Sequence, residues 1–66
     1  MQAMFHVCQR GRELRWTVTL GNTIYGSYPD KEQALLDAVD AARDSLQAGC
    51  EAQVWIRDGS IAARIF

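Results

Sequence analysis

One stretch of this chain has a sustained helical period, and the rest must be arranged around it: Asp30 to Gly49, DKEQALLDAVDAARDSLQAG. Leu35, Ala38, Val39, Ala42 and Leu46 fall at i, i+3, i+4, i+7 and i+11, one apolar stripe at helical spacing. Asp30 is a good N-cap. Gln33 stands three residues on, where its side chain can bond back to the cap, and Pro29 discourages an earlier start. Gly49 lies just past the last periodic residue, where a left-handed glycine belongs. Alanines in the interior favour the helix and allow close packing on a sheet. Every other apolar run is short enough only for a strand, and all of them need this helix to pack against.

Before the helix, Met4 to Gln9 reads as a strand, and Glu13 to Leu20 as a second. A Gly11-Arg12 turn of type II′ would pair Val7 with Trp16 and Phe5 with Val18, so pattern and register agree. Leu14, Trp16, Val18 and Leu20 share one face. Thr23 to Tyr28 reads as a third strand, interrupted by Gly26 and suited to a sheet edge. A two-residue loop at Gly21-Asn22 would turn Ile24 outward, so a three-residue loop with a bulge is expected, returning Ile24 to the apolar face. After the helix, Ala52 to Asp58 and Ser60 to Phe66 form a hairpin on an Asp58-Gly59 turn. That turn pairs Ile56 with Ile61, Val54 with Ala63 and Ala52 with Ile65, and it puts Gln53, Trp55, Arg57 and Arg64 on the opposite face. The expected fold is α+β: an antiparallel sheet of about five strands, in the order β-β-β-α-β-β, with one helix on one face.

Sixty-six residues make a single domain, residues 1–66, and a marginal one, since a chain of this size buries only about 60% of its unfolded surface. A second subunit is the expected source of extra stability. A disulfide between Cys8 and Cys50 is the lesser expectation beside two free thiols in a reducing cytoplasm. With one histidine, no structural zinc site can be assembled from one chain. The N-terminus has no basic segment followed by an apolar run, and no stretch approaches the ~20 apolar residues of a membrane span. A cytoplasmic domain without membrane attachment is expected.

Phe5-His6-Val7, Trp16-Thr17-Val18, the helix opening Lys31-Glu32-Gln33-Ala34, and Arg57-Asp58-Gly59-Ser60-Ile61 follow one another in the chain. In this the chain resembles a family of small uncharacterised bacterial domains. These have an aromatic-His-Val strand, a Trp-x-Val strand, an alanine-rich helix and a closing Arg/Lys-Asp-Gly-x-Ile hairpin. The resemblance covers nearly the whole chain and implies the same β-β-β-α-β-β order. It carries no activity with it, and the two cysteines and Ser60 depart from the family pattern.

Little in the sequence points to catalysis. His6 and Cys8 share a face, but residues two apart on a strand stand ~7 Å apart, beyond a direct hydrogen bond. No GxSxG, P-loop or GxGxxG is present, and the glycines read as turns, a cap and a strand break. Asp37, Asp40 and Asp44 form an acidic stripe that reads as a solvated helix face rather than a cation site, which wants carboxylates converging from a loop. No enzyme, cofactor or metal is expected.

Charge is unevenly placed although the formal net charge is only −1. The helix region is acidic. The strands carry Arg10, Arg12, Arg15, Arg57 and Arg64 against Glu13 and Asp58. Alternation gathers Met4, His6, Cys8, Arg15, Thr17, Tyr25, Trp55, Arg57, Arg64 and Phe66 on the face away from the helix. Aromatics and arginines are the types enriched in binding interfaces. The candidate binding residues are therefore Trp55, Tyr25, Arg15, Arg57, Arg64, His6 and Phe66. The first reading is a non-enzymatic interaction domain, binding itself as a homodimer or another protein. The alternative is a nucleic-acid-binding module for single-stranded RNA or DNA on the same basic face. A blander reading has Arg64 stacked on Trp55 as a local cation–π pair only.

Overall fold

The computed structural model describes residues 2–10 and 15–66. It contains strands β1 (Gln2–Arg10), β2 (Arg15–Leu20) and β3 (Thr23–Tyr28), helix α1 (Lys31–Gln47), and strands β4 (Glu51–Asp58) and β5 (Ile61–Arg64). The fold is α+β, with one helix on one face of a five-stranded sheet in the order β3-β2-β1-β4-β5. The sheet is mostly antiparallel, with one parallel pair at its centre: β1 runs alongside β4 from Gln2↔Glu51 to Cys8↔Arg57. The strands that flank the helix in sequence, β3 and β4, are therefore not neighbours.

The helix ends are set by local chemistry. Asp30 caps the N-terminus in an extended conformation, its Oδ1 accepting from the Gln33 N–H at 2.8 Å. At the other end the Cys50 N–H donates to the Ser45 carbonyl at 2.9 Å and the Gly49 N–H to the Leu46 carbonyl at 3.0 Å. This Schellman arrangement requires a left-handed residue, and Gly49 supplies it at φ 88°. The buried face is alanine throughout: Ala34, Ala38, Ala41 and Ala42. It sits about a quarter turn from the expected stripe. Ala38 and Ala42 are common to both, while Leu35 and Val39 pack at the core's margin and Leu46 is 47% exposed. Small side chains let the helix axis approach the sheet, and the larger ones are left to the flank.

Beneath the alanines lie Phe5, Val7, Trp16, Val18, Ala52 and Val54, with Phe5, Val7, Val18 and Val54 the largest fully buried side chains. The face assignments of β1, β2, β4 and most of β5 follow the expected alternation. The pairings do not. Val7 pairs with Val18 and Phe5 with Leu20, while Trp16 stands opposite Gln9. Likewise Ile56 pairs with Ala63, and Ile61 stands opposite Asp58. Both hairpins are displaced by two residues, an even step that exchanges partners without turning any side chain over. In the second hairpin Asp58 stays in the strand, its carboxylate 3.4 Å from Lys31 Nζ, and Gly59-Ser60 makes the turn. The turn expected at Gly11-Arg12 lies outside the described residues.

The β2–β3 connection differs more deeply. Leu20 pairs with Thr23, so the loop is the two residues Gly21-Asn22, and the irregularity comes inside the strands, where Val18↔Gly26 is followed by Thr19↔Ile24. Tyr25 is the extra residue. The bulge reverses the expected assignment: Ile24 faces away from the helix at 62% exposure, and the Tyr25 ring meets Phe5 edge-on, with centroids 5.6 Å apart. Gly26 is where the Tyr28 ring folds back along β3. A Cβ there would stand 2.5 Å from the Tyr28 hydroxyl oxygen, so only glycine leaves room for the ring.

Candidate interaction face

The register fixes the face away from the helix. His6, Cys8 and Arg10 come from β1, Arg15, Thr17 and Thr19 from β2, Gln53, Trp55 and Arg57 from β4, and Arg64 from β5. The helix packs on β4, β1, β2 and β3 from the other side, and none of the described elements crosses this one.

Trp55 lies near its middle, beside His6 on β1 and Arg64 on β5. The indole is half-buried, and its N–H donates to Gln53 Oε1 at 2.9 Å, which holds the ring along its own strand. His6 is exposed and stands opposite Thr19 rather than Thr17, a consequence of the shifted register. Arg15 is exposed, its Nε donating to Ser27 Oγ at 3.1 Å. Arg64 directs its Nε to the Phe66 carbonyl at 2.8 Å.

Two expected members leave the face. Tyr25 is carried to the helix side by the bulge, as its contact with Phe5 shows. Phe66 packs against the buried core. Its displacement has a backbone cause: the Ile65 and Phe66 N–H groups both donate to the Val54 carbonyl, at 2.9 and 3.4 Å, so two residues oppose one and the alternation breaks.

Arg10 joins the face. Its signal was present in the sequence, since it continues the parity of His6 and Cys8, but ending the strand at Gln9 concealed it. Arg10 stands directly opposite Arg15, and Arg57 lies one strand across, opposite Cys8. Like charges directly opposed across an antiparallel pair are destabilising. Among the described residues the ion pair is Lys31–Asp58, on the helix side, and none there joins a carboxylate to Arg10 or Arg57. One end of the open face is thus a concentration of arginine.

Elsewhere, Lys31 ties the helix start to the sheet. Its ammonium lies 5.8 Å from the centroid of the Trp16 ring as well as 3.4 Å from Asp58. A cation at the first helical position is unfavourable to the helix dipole, and the Asp58 carboxylate offsets it. Asp37, from the acidic stripe, lies against Tyr28. Burial, and then the hydrogen bond and negative charge of Asp37, push the Tyr28 phenol up to about 12. Both cysteines carry free thiols. Among the described residues, no group of three or more His, Cys, Asp or Glu side chains converges, and no helix is long and apolar enough to cross a membrane.

No protein-family model matches the chain, and neither a curated protein nor a solved structure matches it.

Proposed function

We propose that this chain is a small, non-enzymatic cytoplasmic interaction domain, homodimeric, that presents the open side of its sheet to a partner protein. One observation carries the reading: a sheet face crossed by none of the described elements bears Trp55, His6, Ile24 and arginines where an ordinary solvated face would bear threonine, lysine and glutamate. Trp55 is the anchor and Arg57 and Arg64 flank it. The test is affinity capture with the intact chain and with Trp55→Ala, with and without nuclease. Partners retained by the intact chain, resistant to nuclease and lost with Trp55→Ala, support the reading. Equal retention by both chains overturns it.

A second reading has its own observation. The directly opposed Arg10 and Arg15, with Arg57 nearby, favour an anion, and beside an aromatic ring that anion suits the backbone of a single-stranded nucleic acid. Fluorescence polarisation with single-stranded RNA and DNA, at low and moderate salt, separates the two. A phosphate-led interaction is strongest at low salt, so absence of binding there removes the second reading.

A further inference from the structure

The helix does not reach β5. On the helix side of the sheet this leaves an apolar margin along β5. Ala34, Ala38, Ala41 and Ala42 point down at the sheet and Asp37 lies beside Tyr28 of β3. Steps of ~100° per residue then put Leu35, Val39 and Leu46 on the flank that faces β5. The margin's outer side is β5 and the residue after it: Ile61, in the strand, is 68% exposed, and Ile65, just past its end, 43% exposed. Ile56 lies between that side and the helix flank.

The outer side of that margin is also a hydrogen-bonding edge. β5 is the outermost strand on its side. Val54 bonds to Ile65 and Phe66 through both its N–H and its carbonyl. In an antiparallel pair this alternates, so Ile56 and Asp58 also bond across to Ala63 and Ile61. The backbone groups of Ala62 and Arg64 therefore point away from the sheet. The opposite edge, β3, is blunted by its bulge. From Ile61 to Arg64, β5 has no proline, no lysine and one charge.

We propose that β5 is the seam of the homodimer: it pairs antiparallel with β5 of a second copy about a twofold axis through Ala63. The residue pattern selects this partner. A twofold axis perpendicular to the sheet keeps both helices on one side and demands that the edge complement itself. Centred on Ala63, the pairing sets Ile61 of each copy against Ile65 of the other on the helix side. The smallest side chain sits on the axis. Arg64 meets Ala62 of the other copy, so no like charges are opposed. The apolar margins of the two copies then adjoin on the helix side.

This inference rests on the homodimeric part of the proposed function and leaves the open face free for another partner. Sedimentation equilibrium at tens of micromolar tests it on the intact chain, on Ala62→Pro and on Ile61→Lys. Ala62→Pro removes a donor that faces outward, sparing the bonds to β4. The expected result is a dimer for the intact chain and a weakening of about tenfold or more in both variants, with circular dichroism showing them folded. Ala63→Cys, in a chain with Cys8→Ser and Cys50→Ser, supplies an independent reading. Cα atoms of a directly opposed pair stand ~4.5 Å apart at such a position, within disulfide range, so mild oxidation should give a covalent dimer and Ile24→Cys should not. A dimer that survives both edge variants, fails to cross-link through Ala63→Cys and is broken by Trp55→Ala overturns the edge while upholding self-association through the open face. A single 7.4 kDa chain at this concentration overturns the seam and the homodimer together.

Discussion

The two tryptophans give the sharpest test of the face assignments, because each variant leaves the other indole as its fluorescent probe. Trp16 is 8% exposed, in the core and beneath Lys31; Trp55 is half-buried on the open face. Truncating a buried tryptophan costs about 3–5 kcal/mol, and the lost cation–π contact adds about 0.5–1. A domain of 66 residues has roughly 3–10 kcal/mol in all, at 0.05–0.15 per residue. Trp16→Ala should therefore unfold the chain or bring it to the edge of unfolding without denaturant. Trp16→Phe is the measurable variant, at about 1–2 kcal/mol. With a urea slope near 1 kcal/mol/M for a chain this short, its midpoint should fall by about 1–2 M. Trp55→Phe should move the midpoint by about 0.5 M, since a ring that keeps part of its surface in water loses less. The assay is urea unfolding followed by fluorescence and circular dichroism, with equal slopes required before midpoints are compared. If Trp55→Phe costs as much as Trp16→Phe, Trp55 is a core residue and the open face has been misassigned.

Other perturbations follow from particular contacts. Asp30→Ala removes the acceptor for the Gln33 N–H and should lower stability by about 1 kcal/mol in urea, whereas Asp30→Ser should recover most of it. Lys31→Ala should cost about 1 kcal/mol or less, with the loss reduced but not abolished in high salt, because its Trp16 contact is less screened than its exposed pair with Asp58. Tyr28 holds its proton more tightly when folded, so stability should be whole below pH 10 and decline as pH rises from about 10 to about 12. Phenolate absorbance should show a late step that Tyr28→Phe abolishes. Gly26→Ala should displace the Tyr28 ring and shift that step to lower pH, and an unchanged step would show that the ring does not depend on the glycine.

What could be read in the sequence was whatever a local rule decides. The cap at Asp30 and the stop at Gly49 each depend on a few adjacent residues, and both are where their chemistry puts them. Alternation places a strand residue on one face or the other, so Trp16 and Val7 fall toward the helix and Trp55 and His6 away from it. It is blind to register shifts of two, which is why Val7 has Val18 rather than Trp16 as its neighbour. It is also blind to direction: β4 would alternate in the same way beside β1 whether the pair ran parallel or antiparallel. The candidate face failed at the two places where the period itself breaks. At Tyr25 one extra residue exchanged it with Ile24, and at Ile65–Phe66 two residues share one partner. On the helix, apolarity favoured the leucines, but closeness of approach favoured alanine. That choice depends on the distance between two packed surfaces, which no spacing within one segment encodes.

The parallel seam has a consequence for how the chain assembles. Every pair in it, such as Val7↔Ile56, joins residues 49 positions apart, whereas β1–β2, β2–β3 and β4–β5 each close over a short connection. The N-terminal meander and the C-terminal hairpin can therefore each organise locally, while the contact that unites them must wait for a long loop to close. The helix is most of that loop. Once formed, it converts a floppy tether into a rod of about 26 Å that can return β4 alongside β1, so helix strength should govern the folding rate more than the strength of either hairpin. A chain that lingers before closure exposes both edges of β1–β2–β3 and an unpaired β4, and another molecule's hairpin could dock there in place of its own.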